Sequence, residues 1–201
     1  MSDLTIFIVR HAEKPGGNWP GPGLTVDGEQ NKKSLAVRGW QRAGAWAALF
    51  SGGRGGSEYP PPTAIYASNP DKDAAADPKK ETADAKSQAP SRRPYETVLP
   101  LAQRLEIVVK LNFTQGEEQG LAEQLRAERG VVLVSWEHKA IVADLLPALL
   151  GGQEISGVPK SWDPDRFDVV LRLDRAAAGA PWQFRQFFPR LMSGDSDTPL
   201  S

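Results

Sequence analysis

The chain has 201 residues, of which 40% are hydrophobic and 24% are charged, with a formal net charge of −1 and no cysteine. This composition is typical of a soluble, single-domain globular protein; it excludes disulfides and thiolate metal sites, and it offers no overall basic field to attract nucleic acid or an anionic membrane. The N-terminus lacks the features of a signal peptide and no apolar run reaches about 18 residues, so we expect a cytoplasmic protein with no membrane partner.

Short apolar runs alternate with amphipathic segments along the chain. The runs predict strands at 4–9, 64–68, 107–113 and 131–135, with two later strands near 167–173 and 182–187. Apolar spacing of three and four residues predicts helices at 37–50, about 94–105, 117–129 and 138–150. The alternation predicts the α/β class, as a three-layer α/β/α fold with a mostly parallel central sheet.

Two segments interrupt this alternation. Residues 69–92 lack large hydrophobic side chains and are dense in charge, which predicts a solvated, flexible loop inserted into one domain spanning 1–201. Such an insertion could cover a pocket and select substrates, or it could be a tolerated surface loop. The glycine-rich stretch 52–56 lacks the GK[ST] ending of a phosphate-binding loop and follows a helix, so we interpret it as a linker.

Polar side chains follow three of the predicted strands, where each strand ends. They are Arg10 and His11 after the first strand, Ser68 with Arg92 and Arg93 beyond the insertion after the second, and Glu137 and His138 after the fourth. Active sites of parallel α/β sheets gather at the carboxyl ends of the strands. Guanidinium groups bind phosphate through paired hydrogen bonds, and an imidazole kept neutral by neighbouring cations is a nucleophile. The pattern predicts phosphoryl transfer through a phosphohistidine.

Other interpretations of these residues stay open at this point. Each of the two histidines could be a hydrogen-bonded structural residue at the end of a strand. A two-histidine metal site lacks both an HExxH spacing and any cysteine, so no metal site is predicted. Trp19, Trp136 and Trp162 could line a substrate cleft, although buried structural aromatics are the simpler interpretation.

Four motifs in order resemble the histidine phosphatase superfamily, which includes cofactor-dependent phosphoglycerate mutases and acid phosphatases. RHAEK after the first strand resembles the Arg-His-Gly signature, with Ala12 in place of the glycine, and LAVRGWQRAGAWAALF resembles the first helix of the family. IYAS followed by RRPYETVLPLA, and then VVLVSWEHKAI, resemble the segments that carry the remaining site residues. The resemblance covers most of residues 4–150 and implies a phosphoglycerate mutase-like fold.

The resemblance also implies roles for individual residues. His11 matches the nucleophile that accepts the phosphoryl group, and Arg10 matches a phosphate clamp. The second arginine of the family precedes a helix threonine by four residues; here that threonine is Thr97, so Arg93 is the match and Arg92 the fallback. His138 matches the second histidine, which contacts the phosphoryl oxygens and helps to stabilise the transition state.

The general acid is the least determined role. Some members place it just after the second histidine, but Lys139 occupies that position here. Others place an acidic residue between the second arginine and the second histidine, where Glu117, Glu118 and Glu137 are candidates. Glu117 and Glu118 are preferred, because strand alternation could point Glu137 away from the pocket.

The sequence thus predicts a metal-independent phosphomonoesterase that needs no cofactor and acts through a phosphohistidine on His11. Its substrate would be a phosphorylated small molecule or a phosphoprotein, and no nucleic-acid partner is expected. Two alternatives remain, a phosphoglycerate mutase-type phosphoryl transfer and a catalytically inactive module that binds phosphorylated ligands. The substrate's identity and the oligomeric state are not determined by the sequence.

Overall fold

The computed structural model describes residues 3–16, 18–52, 56–71 and 91–201. Its elements in chain order are β1 (Leu4–Arg10), α1 (Val37–Phe50), β2 (Ala64–Ala67), α2 (Arg93–Leu105), α3 (Glu118–Ala127), β3 (Gly130–Trp136), α4 (His138–Ala140), a π-helix (Ile141–Leu145), α5 (Leu146–Leu150), β4 (Val170–Arg175) and β5 (Gln183–Phe187). Most of the predicted insertion and the middle of the glycine-rich linker lie outside the described residues.

The strands form one mixed sheet in the order β2-β3-β1-β4-β5. β3 pairs in parallel with both β1 and β2, whereas β4 pairs antiparallel with both β1 and β5. The prediction of a mostly parallel sheet therefore holds for the three strands β2, β3 and β1 and not for the β4 pairings. β4 and β5 are joined by a short connection, which permits only an antiparallel pair because a parallel pair needs a long crossover.

Helices cover both faces of the sheet, which confirms the predicted three layers. Side chains of β1 alternate between the faces: Ile6 and Ile8 pack with residues of α3 and of the helical segment 138–150. Phe7 and Val9 pack on the other side with residues of α1 and α2. Since every residue of β1 is buried, this strand lies at the centre of both apolar layers, as its continuous hydrophobic run predicts.

The strand predicted at 107–113 is wrong. This segment makes one isolated bridge, in which the Lys110 N–H donates to the Ile65 carbonyl at 2.8 Å and the Lys110 carbonyl accepts from the Ala67 N–H at 3.3 Å. Val108 is 87% exposed, so the segment contacts the sheet along one side only. A single residue in register with the β2 edge cannot extend into a ladder, and the apolar run alone does not reveal this.

Among the described residues, no helix combines the length and the apolar character required to cross a membrane.

Candidate active site

The carboxyl ends of β1, β2 and β3 lie side by side, because Val9 pairs with Ser135 and Ala67 pairs with Ser135 in register. A cavity of about 790 Å³ opens at this edge of the sheet. The residues predicted from the sequence that line it are His11, Ser68, Arg93, Glu118, Glu137 and His138. Side chains that are separated by more than 120 residues along the chain are thus brought to one cavity.

His11 is buried and held as a neutral imidazole. Its Nδ1 lies 2.8 Å from the carbonyl oxygen of Ala12, and since a carbonyl can only accept, Nδ1 carries the ring proton. Burial, together with the positive charge of Arg10, lowers the pKa of His11 to about 3 despite that hydrogen bond, with smaller contributions from Arg93 and His138. The Nε2 atom therefore carries an unprotonated lone pair at neutral pH, which is what a nucleophile requires.

Helix α2 holds the loop that carries His11. The buried Ala12 N–H donates to Thr97 Oγ1 at 2.8 Å, and Thr97 Oγ1 donates to the Arg93 carbonyl one turn earlier at 2.7 Å. One threonine hydroxyl therefore links the residue after His11 to the backbone of Arg93. This contact explains why the threonine and the arginine lie four residues apart, which is one turn of an α-helix.

Helix α1 supports the same loop from the other side. The Ala36 N–H donates to the Glu13 carbonyl at 2.9 Å, just before α1 begins. A Cβ atom at Gly39 would lie 2.4 Å from that same carbonyl oxygen, so only glycine permits this close approach. The Glu13 carboxylate is fully buried and pairs with Arg42 of α1 at 2.8 Å.

Arg10 is buried beside His11 and does not line the cavity surface. Its Nη1 donates to the carbonyls of Asp163, Pro164 and Arg166, and its guanidinium lies 3.8 Å from the centre of the Phe167 ring. Its Nε and Nη2 are buried and have no hydrogen-bond partner among the described residues. Burial lowers the pKa of Arg10 to about 10, so the group keeps its charge at neutral pH.

The structure distinguishes the two candidate arginines of α2. Arg93 lines the cavity, and its guanidinium donates to the carbonyls of Lys32 at 2.7 Å and Ser34 at 3.3 Å. Burial lowers the pKa of Arg93, and the negative charge of Glu96 offsets this only in part. Arg92 does not line the cavity, and its Nε lies 3.5 Å from the buried carboxylate of Glu96. The geometry favours Arg93, the residue that the spacing to Thr97 indicates.

Glu137 and His138 form a pair at the end of β3. Oε1 of Glu137 lies 2.6 Å from Nδ1 of His138, and Oε2 accepts from the Ala140 N–H at 2.9 Å at the start of α4. Burial raises the pKa of Glu137, but these hydrogen bonds outweigh burial and lower it to about 2. Glu137 is therefore ionised at neutral pH and unsuited to donate a proton, while its contact with Nδ1 leaves Nε2 of His138 for a ligand.

The two preferred candidates for the general acid occupy different places. Glu118 is 4% exposed and lines the cavity, where its carboxylate accepts from the Gly116 N–H at 3.0 Å and from the Trp136 indole at 2.8 Å. Glu117 is not among the lining residues, and its Oε2 accepts from the Thr114 N–H at 2.8 Å at the start of α3. Of the two, only Glu118 is brought to the cavity.

Asp144 also lines the cavity, and sequence reasoning missed it. It lies six residues after His138, a spacing that places the two on different faces of a regular α-helix with 3.6 residues per turn. It lies four residues after Ala140, which also lines the cavity, so these two residues share one side of the helical segment. The spacing from His138 alone therefore carries no signal for Asp144.

No group of three or more histidine, aspartate or glutamate side chains that could hold a metal ion exists among the residues the structure describes.

The chain matches no protein-family model and no curated protein sequence. It is similar to the solved structure of a mycobacterial glucosyl-3-phosphoglycerate phosphatase, at 16% identity with a TM-score of 0.49 over 92% of this chain and 98% of that one. A structure named mycobacterial hydrolase 1 is similar at 18% identity, with a TM-score of 0.49 over 91% of this chain and 96% of the other. A protein of Agrobacterium tumefaciens named as the phosphohistidine phosphatase SixA is similar at 18% identity, with a TM-score of 0.44 over 93% and 99% of the two chains.

Proposed function

We propose that this chain is a phosphomonoesterase that transfers the phosphoryl group of an ester to Nε2 of His11 and then to water. The observation that supports it best is the buried, neutral imidazole of His11, whose proton is held on Nδ1 by the Ala12 carbonyl. An imidazole in this state is a nucleophile at neutral pH, and the cations around it suit an anionic substrate.

The surrounding donors suit the oxygens of a phosphoryl group. Arg10 keeps two buried guanidinium nitrogens without an acceptor among the described residues, and a buried donor without a partner is costly. A phosphoryl oxygen next to His11 would supply that acceptor. Arg93 would donate to a second oxygen, and Nε2 of His138 would donate to the third when the ring is doubly protonated, with its other proton on Nδ1 beside Glu137. Donors fixed in advance by their neighbours stabilise charge in the transition state.

The proposed reaction has two steps. The Nε2 lone pair of His11 attacks phosphorus, an N–P bond forms, the ester P–O bond breaks, and the departing alcohol oxygen takes a proton from Glu118. Water then attacks the phosphohistidine, Glu118 takes up a proton from that water, and inorganic phosphate leaves with neutral His11 restored. We assign the acid role to Glu118 because it lines the cavity, whereas the low pKa of Glu137 keeps that carboxyl ionised.

The proposed substrate is a phosphorylated small molecule or a phosphoprotein, in a protein with no nucleic-acid or membrane partner. A phosphoglycerate mutase-type transfer and an inactive phospho-ligand-binding module are the competing functions. Nothing in the described cavity favours either over hydrolysis. The cytoplasmic location expected from the sequence stays a prediction.

The test is phosphate release from 4-nitrophenyl phosphate between pH 4 and 8 with EDTA present. Release should persist in EDTA, disappear in His11→Ala, and fall by about 10²–10³ in His138→Ala, which removes one transition-state donor. Acid-labile phosphate should be trapped on the wild type and not on His11→Ala. A folded wild type that releases no phosphate at any pH would support the binding module, and a strict need for a bisphosphate primer would support the mutase.

A further inference from the structure

A second cavity of about 1020 Å³ lies beside the candidate active site. We call it the apolar groove, and it is lined mainly by Val142, Leu146, Leu150, Ile155, Val158 and Trp162. Val142, Leu150, Ile155 and Val158 are only partly buried, although they pack against the core. When a ligand covers apolar surface that is accessible to water in a concave site, the burial of that surface favours binding.

Three of the polar side chains that line the groove, Gln153, Ser161 and Trp162, form hydrogen bonds within the protein. Gln153 uses both ends of its amide, donating to the Trp182 carbonyl at 2.9 Å and accepting from the Trp182 N–H at 2.8 Å. The Ser161 hydroxyl donates to the Ser201 carbonyl at 3.2 Å, and the Trp162 indole donates to the Arg166 carbonyl at 2.9 Å. The other polar lining residues, Lys139, Glu154, Ser156 and Lys160, are exposed, so a ligand in the groove would contact the apolar side chains and could also reach these polar groups.

The groove adjoins the candidate active site. Lys139 and Ala143 line both cavities, and they lie four residues apart on the helical segment that begins at His138. These two residues separate the cavities. Ala143 is exposed and ends in a single methyl group, so the barrier there is low. A chain attached to a phosphate at His11 would have to pass Ala143 to enter the groove.

We propose that the apolar groove binds the hydrocarbon part of the departing alcohol, so that the substrates are phosphate monoesters of alcohols with an alkyl or aryl body. This inference rests on the proposed function, since it places the phosphate of the same molecule at His11. The groove would then supply affinity through buried apolar area, and esters of small or strongly polar alcohols would lack that contribution.

The test uses ethyl, butyl and hexyl phosphate at equal concentrations with release of inorganic phosphate as the readout. Each buried CH₂ group raises affinity by up to about fourfold. From ethyl to hexyl phosphate, kcat/KM should therefore rise by at least about tenfold. The non-hydrolysable ethyl- and hexylphosphonates should inhibit wild type in the same order. Equal kcat/KM values across the three esters would overturn the inference.

The matched variants are Ile155→Trp, which fills the groove, and Val108→Trp, which adds the same bulk at a residue that lines neither cavity. Ile155→Trp should reduce the hexyl-to-ethyl ratio of kcat/KM at least about fivefold, while Val108→Trp should leave it unchanged. An unchanged ratio in a folded Ile155→Trp would contradict the groove assignment. If Ile155→Trp fails to fold, the wild-type phosphonate series decides the question by itself.

Failure of the inference and failure of the proposed function give different results. If all three esters release phosphate at the same rate and His11 carries trapped phosphate, the phosphatase proposal stands and the groove assignment falls. If no ester releases phosphate and no phosphohistidine can be trapped, the proposed function falls and the inference falls with it.

Discussion

His11 owes its state to two short-range effects at the end of β1. The Ala12 carbonyl accepts from Nδ1, and burial beside Arg10 opposes a second proton on the ring. The first effect selects the tautomer and the second keeps the ring neutral. Both depend on the backbone turn after β1, which directs the ring back towards the carbonyl of the next residue.

The first prediction concerns the titration of His11. In a ¹⁵N- or ¹³C-labelled protein, the His11 resonances should not titrate between pH 8 and about 4, because the pKa of His11 lies near 3. The unfolded chain takes up this proton near pH 6.5, so the free energy of unfolding should decrease as the pH falls from about 6.5 towards 3. His11→Asn should lose part of this pH dependence. A His11 that titrates near pH 6.5 in the folded protein would contradict the assignment.

The second prediction concerns the proton donor. Glu118→Gln should lower kcat for ethyl phosphate by about 10²–10⁴, because the ethanol oxygen cannot leave without a proton. The effect on 4-nitrophenyl phosphate should be much smaller, since nitrophenolate leaves unprotonated.

Glu117→Gln and Asp144→Asn are the matched controls. Glu117 does not line the cavity, so Glu117→Gln should have little effect on kcat for either substrate. If Asp144→Asn shows the leaving-group dependence and Glu118→Gln does not, the acid is Asp144 and our assignment is wrong.

At the scale of secondary-structure elements, helix α2 connects the cavity to the loop that carries His11. Its first turn carries Arg93 into the cavity, and its second turn carries Thr97, which accepts from the buried Ala12 N–H. Glu96 of the same helix accepts from the Ser34 hydroxyl at 2.7 Å and from the Leu35 N–H at 2.9 Å. Two segments that are distant in the sequence, at Ala12 and at Ser34 and Leu35, therefore depend on the position of one helix end.

The third prediction concerns the hydrogen bond between Thr97 and the Ala12 N–H. Thr97→Val keeps the shape of the side chain but leaves the Ala12 N–H buried without an acceptor, which should cost about 1–3 kcal/mol of unfolding free energy. Urea denaturation measures it. Thr97→Ser retains the hydroxyl and should stay much closer to wild type in both stability and kcat. Equal destabilisation by valine and serine would contradict this role of the hydrogen bond, because only valine removes the hydroxyl.

At the scale of the whole molecule, a buried ion triad links a segment near the C-terminus to the loop that carries His11. Arg42 of α1 is almost fully buried between the carboxylates of Glu13 and Asp195, each 2.8 Å from Nη2. Burial raises the pKa of Asp195, but the hydrogen bonds from Arg42 outweigh it and lower that pKa. Arg42 thereby links Asp195, near the C-terminus, to Glu13 in the loop that carries His11. The single domain spanning 1–201 stays a prediction.

The fourth prediction concerns this buried ion triad. Arg42→Met should destabilise the fold by about 3–5 kcal/mol, because it leaves two buried carboxylates without their main partner. The matched control is Arg129→Met, whose partner Asp3 and whose own side chain are both partly exposed, at 32% and 57%, so it should cost at most about 1 kcal/mol. Thermal or urea unfolding of both variants gives the comparison. Similar costs for both would contradict a structural role for the triad.

The amino-acid sequence by itself determined the elements with strong local signals. The buried strand β1, the amphipathic helix α1 and the polar residues at the strand ends follow from hydrophobic periodicity, which acts over a few neighbouring residues. The same reasoning placed His11 and His138 at one edge of the sheet, because the carboxyl ends of parallel strands meet there, whereas the choice of Arg93 over Arg92 came from the spacing to Thr97 that the family resemblance implies.

Only the tertiary structure decided the features that depend on contacts between distant segments. The failure of 107–113 to form a strand, the reversed direction of β4 and the position of Asp144 in the cavity lining all depend on how distant segments pack. The same is true of Glu118 reaching the cavity while Glu117 does not. Adjacent residues have the same local sequence signal, and the three-dimensional path of the chain determines which of them faces the cavity.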